Sequence, residues 1–162
     1  LWFNKHYLDS KSEEQLINAI NNKKFDGSDY SNSVLLAIRE RCSTLNDFIV
    51  HSSYFFKDPE DFEDTLINKH CKEGTHGYLS LLKSYLSELE MWDQISIKEV
   101  IDKAVSELDI GFGKIGLPLR LALTATVNSP SIDLVCEILG KDIVLKRLDN
   151  FLSKIQSLEK DL

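Results

Sequence analysis

Helix start and stop signals recur along this whole chain, and nowhere do polar and apolar residues alternate long enough to build a strand. Ser12 with Gln15 three positions on forms a capping-box pair, and Leu16, Ile17 and Ile20 follow as one apolar stripe. Ser96 with Glu99 repeats the device ahead of Val100, Ile101, Ala104, Val105 and Leu108. Asp58-Pro59 and Ser129-Pro130 each set a capping residue before a first-turn proline, while Glu60 and Asp61 suit the positive end of a helix. These signals predict helices over 12–20, 32–41, from Thr44, over 58–74, 78–92, 96–108, 118–127 and 129–140, and from Asp142 onward. Three prolines and seven glycines in 162 residues exclude turn-rich all-β and linker-like architectures. The fold class expected is all-α.

The strong stop at Gly74 and the fresh apolar pattern after Gly77 divide the chain into two lobes. Residues 12–74 form a first lobe and 75–162 a second, with 1–11 as a stem or linker. Its hydrophobic share of 43% can fill cores of that size. No apolar run approaches the length of a bilayer span, and the opening Leu1 to His6 lacks a basic region followed by an apolar one. A cytoplasmic setting and no membrane partner are expected. The chain opens on aromatics without an initiator Met, so it reads as a piece whose preceding portion carries chemistry.

Catalytic arrangements are absent from the sequence. It has no phosphate-cradling glycine loop ending in Lys-Ser/Thr, no His-Glu-x-x-His helix and no Gly-x-Ser-x-Gly elbow. Cys42, Cys71 and Cys136, odd in number and far apart, read as reduced core or boundary thiols. His70, Cys71 and His76 could supply metal-binding atoms, but no second ligand pair stands at the spacing a tetrahedral site needs. No metal site is expected.

A net charge of −7 argues against nucleic acid as a partner, because phosphate binding relies on Lys and Arg displacing counterions. Such a partner requires the basic groups to cluster. One segment meets that condition: Gly111 to Ser131 contains Lys114 and Arg120 and not one acid. Spacing alone favours the plainer reading, a buried apolar helix with a glycine-rich approach.

Gly113-Lys114, then Gly116 to Thr124 with Pro118 and Arg120, then Ser129-Pro130-Ser131-Ile132, then Leu139 to Asp142 and Arg147-Leu148 resemble the C-terminal signature of bacterial glutamyl-tRNA synthetases in order and spacing. Leu1 to Tyr7 is similar to that family's stem segment after its catalytic domain, and Arg39 to Leu45 with Tyr54-Phe55-Phe56 is similar to its next helical lobe. The resemblance implies a two-lobed helical cage of the class I synthetase type that receives a tRNA anticodon loop. The parent would be a glutamate–tRNA ligase that activates glutamate with ATP and Mg2+ and attaches it to tRNA(Glu). The family's ATP-binding motifs, His-Ile-Gly-His and Lys-Met-Ser-Lys-Ser, are missing here, so this piece is expected to bind no cofactor and to be inactive alone.

Carried over by position, Arg120 matches the family arginine that contacts anticodon bases, and Ser129, Pro130, Ser131 and Ile132 match the helix start lying against that loop. Lys114 adds positive charge to the same segment, and Arg41 matches the position that separates glutamate tRNA from glutamine tRNA. Arg41 reads equally well as an ordinary surface residue of its helix. Two departures stand out: Ala125 occupies a family glycine position, and Asp133 occupies one often apolar or aromatic. The chain is expected to act as a monomer. The competing reading is a helical protein-interaction or structural module without RNA binding, for which Lys114 to Ile132 is core; exposure of Arg120 and the Ser129-Pro130 turn separates the two.

Overall fold

The computed structural model describes the backbone of residues 2–160 and the side chains of 5–156; Leu1 of the expected stem lies outside them. Eleven α-helices and no strand occupy the described residues. They are α1 (Trp2–Asp9), α2 (Glu13–Ile20), α3 (Asp29–Arg39), α4 (Leu45–His51), α5 (Ser53–Phe56), α6 (Asp64–His70), α7 (Thr75–Glu88), α8 (Gln94–Glu107), α9 (Gly113–Thr124), α10 (Ile132–Leu139) and α11 (Lys141–Lys160). No helix among the described residues is long and apolar enough to cross a membrane.

Local chemistry explains where these helices begin. The Ser12 hydroxyl accepts the Gln15 amide N–H at 3.3 Å while the Gln15 side chain accepts the Ser12 amide at 3.1 Å, closing the box ahead of α2. Thr44 and Asp47 close a second box ahead of α4. Helix α3 starts earlier than expected because Ser28 caps it, accepting from the Ser31 amide. Helix α8 likewise starts a turn early: Asp93, not Ser96, is the cap, its carboxylate accepting the Ser96 amide at 2.8 Å.

Two compact units result, one running to Lys57 and the other from Asp58 onward. In the first, α4 packs on α2 and α3, with Leu16, Val34, Leu35, Ile38 and Phe48 fully buried. Arg39 fastens the end of α1 by donating to the carbonyls of Leu8, Asp9 and Lys11 at 3.1, 3.0 and 2.6 Å. In the second, α7, α9 and α11 pack mutually, α8 lies on α7 and α10, and α6 lies on α9. Leu79, Leu82, Leu86, Ile97, Leu119 and Phe151 fill its core, each side chain contributing roughly 1.5–3 kcal/mol by leaving water.

The division falls between Lys57 and Asp58, not at Gly74–Gly77 as the sequence suggested. Asp58 belongs to the second unit because Lys146 and Arg147 of α11 donate to its carboxylate at 2.6 and 2.9 Å, and Phe62 meets Phe151 edge to face at 5.1 Å between centroids. The same pairing explains why Asp58-Pro59 opens no helix. The carboxylate that would cap one is held by α11, and α6 begins only at Asp64, with no side-chain cap. Gly74, expected as a stop, instead starts α7 with a left-handed φ of +88°.

Arg147 is 3% exposed, and its second donor reaches the Leu123 carbonyl at 2.6 Å, near the negative end of α9. Hydrogen bonding from Lys146, then from Arg147, holds the Asp58 carboxyl below its ordinary value against the opposing cost of burial. A depressed carboxyl pKa stabilises the fold above its unfolded value, and that stabilisation is lost as pH falls through the folded one. The stability gap between the parent protein and Asp58→Asn is therefore expected to hold above about pH 4 and to shrink below it. Urea midpoints of both proteins across that range measure the gap; a gap independent of pH would contradict the pairing.

Helix α9 corrects two expectations. It spans Gly113–Thr124 rather than 118–127, taking in Gly113 and Gly116, expected to break a helix, and holding a buried Pro118 inside it rather than at its start. It ends at Ala125, whose φ of +53° is left-handed and strained for a residue with a Cβ. Ala125→Gly is expected to stabilise the protein by about 0.5–1 kcal/mol, seen as a higher urea midpoint at unchanged slope.

Candidate nucleic-acid interface

The acid-free segment folds as α9, the turn after it and the start of α10. The fold brings Arg120 and the Ser129-Pro130 turn together: one guanidinium nitrogen donates to the Ser129 carbonyl at 2.8 Å, to the Pro130 carbonyl at 2.5 Å and to the Ser129 hydroxyl. Arg120 is half-buried, Ser129 is 3% exposed, and Pro130 and Ile132 are buried, while Ser131 and Lys114 are exposed. Four neighbouring positions singled out in the sequence thus divide. Ser129, Pro130 and Ile132 face inward and shape the turn, and Ser131 is the one presented to solvent. Arg41 is exposed just beyond α3, in the first compact unit.

Ser131 stands at the N-cap of α10 without a side-chain cap hydrogen bond, so the first amides of that helix are not satisfied by it. Asp133 in the first turn suits the helix dipole and accepts from the Gln94 side-chain amide at 2.7 Å. Beside it, Glu137 accepts the Gln94 backbone amide at 3.1 Å and Trp92 donates to the Cys136 carbonyl at 2.9 Å, so the link from α7 to α8 is laced along α10. The helix start is held from two sides, by Arg120 through the turn and by Gln94 through Asp133.

Charge is unevenly divided. Up to Lys57 the chain carries seven Lys/Arg against seven Asp/Glu, and from Asp58 twelve against nineteen, so the net −7 belongs to the second unit. Within that acidic unit, Lys114 and Arg120 are the charged residues between Ile110 and Ile132. The cysteines add no reactive group: burial pushes Cys42 up to about 12 and Cys71 up to about 11, and raises Cys136 as well, so all stay protonated at neutral pH. Among the described residues no group of three or more His, Cys, Asp or Glu could hold a metal ion.

Two residues that sequence reasoning did not single out belong to this description. Phe112, at the N-cap of α9, is 49% exposed; Arg147 closes the far end of α9 through Leu123. The signal for Arg147 was its place in the quoted signature; that for Phe112 was an aromatic between two glycines in the acid-free stretch.

The fold is thus all-helical, with the acid-free segment ending at the start of α10. The anticodon binding domain family matches residues 6–152, and the chain belongs to that family. It is similar to a solved glutamate tRNA ligase from Elizabethkingia meningosepticum, at 25% identity and a TM-score of 0.85, over 94% of this chain and 31% of that one. A glutamate-tRNA synthetase from Elizabethkingia anophelis shares the fold at 24% identity and a TM-score of 0.81, over 94% of this chain and 30% of that one. The chain thus spans under a third of the solved proteins it matches.

Proposed function

We propose that this chain is the anticodon-recognising piece of a glutamate–tRNA ligase, acting as a monomer in the cytoplasm on tRNA(Glu). The observation that carries the reading is the family match over residues 6–152, which takes in both compact units. ATP and Mg2+ serve glutamate activation in the parent enzyme's catalytic part, and this chain alone is expected not to charge tRNA.

The α9–α10 site would take an unpaired anticodon base as follows. Arg120 fixes the turn through its hydrogen bonds to the Ser129 and Pro130 oxygens, and a planar guanidinium is the kind of group on which an unpaired base stacks. Ser131 and the first amides of α10 offer donors to base or phosphate oxygen, and Lys114 adds an exposed charge on the same helix as Arg120. Ser129, Pro130 and Ile132 support that surface from within. Arg41, in the other unit, would favour glutamate tRNA over glutamine tRNA. With so few phosphates neutralised, binding depends on stacking, at ~1–3 kcal/mol per base, more than on charge.

The reading is tested by charging purified tRNA(Glu) with the full-length enzyme, using the natural anticodon and substituted ones. It expects kcat/KM to fall on substitution; equal values would reject it.

A further inference from the structure

Phe112, Gly116 and Arg120 stand at i, i+4 and i+8 along one row of α9. At Gly116 an added Cβ would lie 2.4 Å from Cε1 and 2.6 Å from Cζ of Phe112, so the aromatic ring lies flat against the helix where a side chain is missing. The ring is nonetheless 49% exposed. A large apolar side chain held against bare backbone, half open to water, is an anchored aromatic surface rather than a core residue.

Its surroundings select the occupant. Gly111 and Gly113 on either side meet nothing within 4 Å, so the approach is open, and Lys114 is exposed two residues on. In a unit with nineteen acids against twelve basic residues, this row carries positive charge only, which complements a polyanion. From Phe112 to Arg120 the row rises about 12 Å, enough for three or four nucleotides at about 3.4 Å each.

We propose that Phe112 is a stacking platform that extends the RNA-holding row of α9 to a further unpaired base flanking those held at Arg120 and Ser131. The proposal rests on the anticodon reading above and adds to it a residue and a nucleotide position. The ring takes the base face to face, and Gly116 sets its orientation by letting it lie down on the helix.

The test uses the full-length enzyme and tRNA(Glu) carrying 2-aminopurine at unpaired loop positions beside the anticodon. Phe112→Ala is expected to weaken tRNA binding about 5- to 100-fold and to abolish the fluorescence change at the flanking position, with Phe112→Tyr restoring both. Gly116→Ala drives a methyl into the ring and is expected to weaken binding while the melting temperature holds or rises, since alanine favours the helix over glycine. A ring that only covers backbone would give the opposite pattern, a lower melting temperature with binding unchanged in Phe112→Ala and Gly116→Ala, and that result overturns the platform. Should the parent enzyme respond to anticodon substitution while Phe112→Ala binds like the parent, the platform alone fails; should the parent ignore the anticodon, the underlying reading fails.

Discussion

Replacing Asp58 by alanine is expected to cost about 3 kcal/mol of folding stability, because it strips a counter-charge from a guanidinium that is 3% exposed. The value sits at the low end for a broken buried pair, since Asp58 itself is 38% exposed and Arg147 keeps its bond to the Leu123 carbonyl. The sign of the coupling is the sharper test. Arg147→Met removes the buried cation together with its need for a partner, so the double variant Asp58→Ala/Arg147→Met is expected to be more stable than Asp58→Ala alone. Urea unfolding of the two single variants and the double closes the cycle. Strict additivity would mean that Asp58 acts only as a surface group.

Arg120→Ala is expected to lower kcat/KM for charging tRNA(Glu) by roughly 1–3 kcal/mol in the full-length enzyme, leaving ATP and glutamate binding intact. Two effects combine in that loss. The turn holding Ser131 and the start of α10 loses its bonds to the Ser129 and Pro130 oxygens, and the base loses its guanidinium face. Arg120→Lys is expected to recover little, because one ammonium cannot present a planar fork to the turn and a stacking face to the base. A charging rate equal to the parent's would remove Arg120 from the site.

Much of this architecture is legible from short-range chemistry. The capping box at Ser12, the Thr44 cap and the Gly140 stop lie where the sequence put them, since each depends on residues within a turn of one another. What the sequence misplaced depends on distant partners. Asp58-Pro59 has every local mark of a helix start, yet its carboxylate goes to Lys146 and Arg147 on the last helix, and the unit boundary moves with it. Gly113 and Gly116 read as breakers and Pro118 as a helix start, yet α9 runs through all three, buried at Gly116 and Pro118 among its neighbours.

The candidate site shows the same division. The sequence named Arg120 and the Ser129-Pro130 turn together, and the fold joins them in one hydrogen-bonded unit. The facing of these residues was not legible: four consecutive residues from Ser129 to Ile132 look alike in sequence, and only the path of the turn leaves Ser131 outside and the others within. Phe112 escaped notice because an exposed phenylalanine gains meaning only once its ring is seen against Gly116.

Chemical probing of tRNA(Glu) bound to the full-length enzyme tests the central claim most directly. The account predicts that anticodon bases are protected in the complex and become reactive again with Arg120→Ala, while protection elsewhere on the tRNA persists. An anticodon loop as reactive in the complex as in free tRNA, with other regions protected, would contradict it.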